Sequence, residues 1–188
     1  MRRAVRSGMY FTAALLGCTA VLAQRRPGPP APPRSPCQEP SIRVYKHQNA
    51  LELWCAGALR GRYRATFGAH PVGPKVRRGD ERTPEGAYHI TSRVSTPRFH
   101  RFLGVSYPNA EDRRRSAALG VRDPGGGIGI HGVERRREGL ARLWLEVATS
   151  TGLGQLWGPT DGCVALANED IDVVYAAARV GTPVRIEP

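Results

Sequence analysis

Lysine is almost absent from this chain: of 28 basic residues only Lys46 and Lys75 are lysines. A GC-rich genome produces such a bias, so it is no sign of binding by itself. Acidic residues are also scarce, 16 against those 28, which leaves a formal net charge of +12 and a pI near 10.5. No apolar run reaches the ~20 residues that a membrane-spanning helix requires. His47, His70, His89 and His100 are scattered without metal-ligand spacing and read as surface or strand residues, so no metal is expected. Gly125-Gly126-Gly127 lacks the Gly-Lys-Ser/Thr and the following helix of a phosphate loop, and reads as a flexible turn. Neither a recognition helix nor a stacking sheet accompanies Arg113-Arg114-Arg115 or Arg135-Arg136-Arg137, so no nucleic acid is expected. The remaining use of the charge is attraction to an anionic cell envelope, through its polymers or phospholipid heads. No internal repeat is present.

What the N-terminus does have is a basic stretch with Arg2, Arg3 and Arg6, followed by an apolar run over 9–22 of signal-peptide length. Residues 1–23 therefore read as an export signal. Two exits stay open: Leu15-Leu16-Gly17-Cys18 resembles a lipobox that would put a lipid anchor on Cys18, and Val21-Leu22-Ala23 suits cleavage before Gln24. Proline is dense from Arg26 to Pro40, which favours an extended tether over 24–40, or a leader without a role. The folded domain is expected over 41–188.

Export changes the meaning of the four cysteines. Cys18 belongs to the signal or anchor, which leaves Cys37, Cys55 and Cys163, an odd set in an oxidising compartment. If Cys37 pairs with Cys55, Cys163 keeps its thiol; a Cys55–Cys163 bond would remove it. The Gly-Cys turn at 162–163 is unlike an ordinary disulfide setting, so the first pairing is the expected one.

Short β-prone runs at 42–45, 51–55, 60–67, 87–94, 102–107, 127–131 and 182–186 are separated by Gly, Pro and Asn, which predicts a mainly β sandwich or barrel. Two helices interrupt it. One covers 110–119 and is rich in arginine, closed by Gly120. The other covers 169–180, with Asn168 as N-cap, Glu169 and Asp170 at the positive end of the dipole, and Ile171, Val174, Tyr175 and Ala178 on one face. A third helix is expected over 139–149. Pro84 and Gly86 suit a type I turn.

Thr160-Asp161-Gly162-Cys163 sets a cysteine in a tight glycine turn, and Ile130-His131-Gly132 ends an apolar strand-like run with a histidine. A thiol titrates near ~8.5 and a neighbouring imidazole can draw it toward the thiolate, while Gly162 lets backbone N–H groups approach an oxyanion. Cys163 as a small buried hydrophobe and His131 as a satisfied core residue form the alternative.

Those two motifs resemble the L,D-transpeptidase (YkuD) catalytic signature, a histidine followed by Ser/Thr-x-Gly-Cys with an Asn shortly after. The resemblance continues through Gly73-Pro74-Lys75, residues 79–88, Ser106-Tyr107-Pro108-Asn109 and Gly181-Thr182-Pro183-Val184. It implies a compact YkuD-like β-rich sandwich and, as substrate, the peptide stems of peptidoglycan. It implies Cys163 as nucleophile on the third stem residue, expelling D-alanine, and His131 as general base and later acid. Gly162 and Cys163 N–H groups would hold the oxyanion, the carbonyl around Gly132 would orient the imidazole, and no cofactor is required. An amine of a neighbouring stem would resolve the thioester into a crosslink in the periplasm or envelope. Water in its place would make a hydrolase, and loss of chemistry a wall-binding domain.

The sequence departs from the family where Asp161 replaces a histidine and Ala165 an arginine. Asp161 is expected to disfavour the thiolate and to orient a substrate amine or cap the turn. The His131 to Cys163 stretch is long, and its insertion over 135–159, with Trp144, reads as a surface loop rather than a lid.

Overall fold

The computed structural model describes residues 36–95, 98–133 and 160–188, together with Val147. The export signal, Cys18, most of the tether, the 135–159 insertion and the helix expected over 139–149 lie outside the described residues, Val147 excepted.

Among the described residues, eight strands and two α-helices follow in chain order: β1 (Pro40–Tyr45), β2 (Ala50–Cys55), β3 (Ala58–Arg64), β4 (Gly86–Val94), β5 (Phe102–Val105), α1 (Ala110–Ala118), β6 (Gly129–His131), β7 (Val164–Ala165), α2 (Asn168–Ala177) and β8 (Pro183–Glu187). The strands form one sheet in the order β3-β2-β1-β8-β4-β5-β6-β7. The β1–β8 and β6–β7 pairs are parallel and the others antiparallel. Alternation places one face inside: Ile42 and Val44 of β1 and Val184 and Ile186 of β8 are buried, while Arg43 and Arg185 face solvent.

The expected mainly β domain with two short helices is present, and of the sandwich and barrel alternatives the sheet takes the second in part, as a single curled half-barrel. The cause lies in two places. A register shift between Ile90 and Ser92 bends β4, the strand shared by both halves of the sheet. Beyond β3, at one edge, Thr66 exchanges backbone hydrogen bonds of 2.9 and 2.8 Å with Ala165 of β7, at the other edge. A flat sheet of eight strands would hold those edges roughly 34 Å apart, so this pairing requires curvature. Phe67, Leu51, Leu53, Ile90, Leu103, Ile130, Val164 and Leu166 fill the interior, and α2 adds Ile171 and Val174.

Helix α1 packs by polar contacts, which is why it shows no apolar stripe. Its buried residues are Asp112, which accepts from Tyr88 Oη at 3.0 Å, and Ser116, whose Oγ donates to Val76 O at 2.6 Å. Asn109 caps it, accepting from the N–H groups of Glu111 and Asp112 while Asp112 accepts from the Asn109 N–H. Helix α2 corrects one expectation. Its N-cap is Ala167, without a side-chain cap bond, and Asn168 is the first helical residue. It also ends earlier, because the chain turns over Arg179–Thr182, where the Thr182 N–H bonds Arg179 O. Residues 81–85 hold no hydrogen-bonded turn, and Gly86, at φ 148°, already begins β4.

Both lysines are buried. Lys46 Nζ reaches Glu85 at 2.6 Å and Gly73 O at 2.9 Å, and Lys75 Nζ reaches Asp80 at 2.6 Å and Arg77 O at 3.1 Å. Lys46 joins the two ends of a loop that carries little secondary structure of its own, and Lys75 holds its middle from within. Asp80 also accepts from the N–H groups of Val76, Arg77 and Arg82. Burial alone would raise the Asp80 carboxyl, but Lys75 and these N–H groups outweigh it and hold it below the ordinary carboxylate range. The Cys37–Cys55 disulfide ties the segment before β1 to the end of β2, and Cys163 keeps its thiol. With a sequence separation of 18, that bond constrains the unfolded chain by about 3 kcal/mol.

Lys75→Met leaves the Asp80 carboxylate buried without its counter-charge, and should cost about 3 kcal/mol in urea unfolding at neutral pH, three backbone N–H groups still holding the anion. Replacing both partners, Lys75→Met with Asp80→Leu, should not restore stability, because three backbone N–H groups then lose their acceptor. Since the folded pKa of Asp80 is depressed, its stabilisation is present above the ordinary carboxylate range and is lost as pH falls through the folded value.

Candidate active site

The parallel β6–β7 register pairs Ile130 with Val164 and His131 with Ala165. Ile130 and Val164 are fully buried in the core. Side chains alternate along a strand, so His131, Ala165 and Cys163 belong to the opposite face. By strand spacings the Cα atoms of His131 and Cys163 stand roughly 8 Å apart, a gap that an imidazole and a thiol can close between them.

The turn before Cys163 is held by Thr160. Its Oγ1 donates to Cys163 O at 2.6 Å and accepts from the Gly162 N–H at 3.1 Å. Gly162 has φ 126°, and a Cβ there would lie 2.5 Å from Arg82 O, so only glycine fits. The Gly162 N–H, expected to face an oxyanion, donates to Thr160 within this turn. Asp161 is exposed on the same turn.

The thiol of Cys163 donates to Gly127 O at 3.7 Å. Gly125 and Gly127 have φ of 84° and 71°, and this glycine run packs on the Lys75 loop. Tyr107 Oη donates to Pro124 O at 2.8 Å, and the Arg78 N–H to Asp123 O at 3.1 Å. Burial pushes the Cys163 thiol up from its ordinary range. The Gly129 N–H acts against that rise, Asp161 adds to it, and Arg98 and Lys75 oppose it. Desolvation is the largest influence on this thiol, ahead of the nearby donors and cations.

His131 is buried, and its Nδ1 lies 2.7 Å from Gly132 O. A carbonyl only accepts, so Nδ1 carries the proton and Nε2 is the acceptor nitrogen of the neutral ring. Phe99 packs on the ring with centroids 4.0 Å apart and Phe102 stacks at 6.1 Å. Asn168 completes the arrangement: its Oδ1 accepts from the Val133 N–H at 2.9 Å, tying α2 to the chain just past His131. A Cβ on Gly132 would come 2.6 Å from that oxygen. Asn168, Thr160 and Phe99 are the site residues to which sequence reasoning assigned no such part; the Asn shortly after Gly-Cys was the one available signal.

Of the other histidines, His100 bonds Asp172 of α2 at 2.9 Å, His70 lies beside Glu81, and His47 reaches Pro188 O. Among the described residues, no group of three or more His, Cys, Asp or Glu side chains is placed to hold a metal, and no helix is long and apolar enough to cross a membrane.

A curled mixed sheet that carries a cysteine and a histidine on one face defines a class of thiol-bearing domain. A family model for the L,D-transpeptidase catalytic domain, YkuD, matches residues 39–186, and the chain belongs to that family. YafK of Escherichia coli is 30% identical over 78 residues, 38% of this chain and 32% of its own length. Bd1075 of Bdellovibrio bacteriovorus is similar in structure, with a TM-score of 0.54 at 23% identity, over 80% of this chain and 48% of that one. The helical cell shape determining protein Pgp2 of Campylobacter jejuni gives 0.53 at 19% identity, over 82% and 52%. These structures share the fold, and the chain spans about a third to a half of the length of these relatives.

Asn168→Ser keeps a small polar side chain at the first helical position but shortens the reach to Val133, so it should destabilise by about 1–3 kcal/mol in thermal or urea unfolding. Asn168→Asp, which keeps the acceptor, should lose less. Alkylation of Cys163 by iodoacetamide should titrate above the ordinary thiol range and move to lower pH in Asp161→Asn, the direction set by removing a negative charge beside the sulfur.

Proposed function

We propose that this domain is a peptidoglycan L,D-transpeptidase in which Cys163 is the nucleophile and His131 the general base. The observation that carries the reading is the β6–β7 register, which sets both residues on one face while the Gly132 carbonyl orients the imidazole. Family membership supplies the substrate class, the peptide stems of the wall.

The thiol starts protonated. As the sulfur attacks the carbonyl of the third stem residue, His131 Nε2 takes its proton, and the carbonyl oxygen gains the negative charge. The Cys163 N–H is the donor available to that oxyanion, Gly162 serving the turn instead. Collapse of the intermediate breaks the peptide bond, and the imidazolium returns the proton to the leaving D-alanine amine. An amine from a neighbouring stem then attacks the thioester carbonyl and loses a proton to His131; the C–S bond breaks as the C–N bond of the crosslink forms, and the imidazolium returns the proton to the sulfur, restoring the thiol. The Asp161 charge is suited to draw in the acceptor as its ammonium, which gives up one proton before the free amine attacks. Export through residues 1–23, by either exit, and attraction of the basic chain to anionic polymers would bring the domain to its substrate.

Purified protein incubated with sacculi, followed by muropeptide analysis, should yield L,D-crosslinked products. Cys163→Ala should reduce them by several powers of ten with the fold intact, because nothing else in the site can form the thioester. Trimmed stems without crosslinks would mean that water is the acceptor, and wild-type rates in Cys163→Ala would end the covalent mechanism.

A further inference from the structure

Residues 99–101 approach His131 and Gly132 one after another. Phe99 packs on the imidazole with centroids 4.0 Å apart, the His100 side chain lies against Gly132, and Arg101 O accepts the Gly132 N–H at 3.3 Å. A Cβ on Gly132 would stand 3.1 Å from His100 Cβ and 2.9 Å from Ile171 Cγ2, so this glycine is pressed between the lead into β5 and helix α2. Asp172 joins those two walls. Its Oδ2 pairs with His100 Nε2 at 2.9 Å, and its Oδ1 accepts from Arg101 Nε at 2.9 Å. Burial would raise the Asp172 carboxyl, but the bonds to His100 and Arg101 outweigh it and hold it below the ordinary carboxylate range.

Asp172 follows Asn168 by four residues, so the two share one face of α2, while Ile171 and Val174 enter the core. Asn168 Oδ1 holds the Val133 N–H at 2.9 Å. In a trans peptide the N–H and the C=O point to opposite sides, so this grip turns the Gly132 carbonyl the other way, where His131 Nδ1 meets it at 2.7 Å. Glycine is free to rotate, so the direction of that carbonyl depends on where α2 stands relative to residues 99–101. We infer that Asp172 is a positioning residue for His131: by clamping His100 and Arg101 to α2 it fixes the Gly132 carbonyl, which keeps the imidazole proton on Nδ1 and leaves Nε2 as the accepting nitrogen. This rests on the reading of His131 as the general base. Opening the clamp lets the Gly132 peptide turn, and the ring then takes up the other tautomer, in which Nε2 carries the proton and takes none from a thiol.

The test compares wild type with Asp172→Ala, reading the His131 tautomer from long-range proton–nitrogen NMR correlations and the rate at which a carbapenem acylates Cys163. Asp172→Ala should show Nε2-protonated imidazole beside the Nδ1 form and should slow acylation by about 10-fold, a part of what a correctly placed base supplies. Asp172→Glu, which keeps both acceptor oxygens, should recover most of each. Tyr175→Leu is the control. It removes from the same helix the ring on which Arg93 and Arg101 stack, at 4.5 and 5.1 Å, and leaves the Asp172 bonds in place, so the tautomer should stay as in wild type. Thermal melting checks that each variant is folded, and Asp172→Asn, which keeps the shape and a single acceptor oxygen, takes the place of Asp172→Ala if that variant is not. A wild type already protonated on Nε2, an unchanged tautomer or wild-type acylation in the folded variant, or the same tautomer shift in Tyr175→Leu overturns the inference. Acylation of the wild type is read separately: if Cys163 takes no carbapenem while the Asp172-dependent tautomer shift stands, the transpeptidase reading falls and the positioning role of Asp172 remains.

Discussion

The parallel pairing of β6 with β7 is the constraint on which the site depends. It is short, and it joins the end of one chain segment to another far along the sequence, yet its register is not negotiable. Ile130 and Val164 must both face the core, where they are fully buried. A slip of one residue would turn His131 into that core and Ile130 toward the cysteine. The hydrophobic effect on two aliphatic side chains therefore sets the direction of the histidine and the thiol. Thr66 adds a second restraint by bonding Ala165 from the other edge of the curled sheet.

Around that pair the structure invests in polar contacts rather than apolar ones. Thr160 holds both ends of the cysteine turn, Asn168 holds the chain past His131, and Asp80 with Lys75 holds the loop on which the glycine run packs. The two lysines acquire significance against the arginine background. Each occupies a buried position where a compact ammonium on a flexible stem meets a carboxylate and a backbone carbonyl; Lys46 ties the two ends of the 73–85 loop together and Lys75 holds its middle. Burial raises the Cys163 thiol above its ordinary range, and the proposed mechanism accordingly assigns a base to the attack itself.

The strands were largely legible in the sequence because their alternation and Gly/Pro punctuation are local properties; β1, β2 and β4 begin within two residues of expectation. The cysteine and histidine were legible because a Gly-Cys turn and a strand-ending histidine are local as well, and the family resemblance joined them. The misses concern long-range partners. Asn168 looks like a helix cap from its neighbours, and only the fold brings the Val133 N–H to it. The engagement of the Gly162 N–H by Thr160 is a matter of side-chain rotamer, invisible in letters. Desolvation of Cys163 is a property of everything packed around it. Sheet closure depends on a bend in β4 and on a bond from Thr66 that no periodicity announces.

The central claim is that the neutral thiol of Cys163 is activated by His131 from the same face of the sheet. Acylation of Cys163 by a carbapenem, followed by intact-protein and peptide mass spectrometry in wild type and in His131→Gln, tests it most directly, since one adduct reports the nucleophile and its rate reports the base. The account predicts a single adduct on the Cys163 peptide in wild type, and acylation slowed by about 100-fold or more in His131→Gln. Acylation at the wild-type rate in His131→Gln, or an adduct elsewhere, would contradict it.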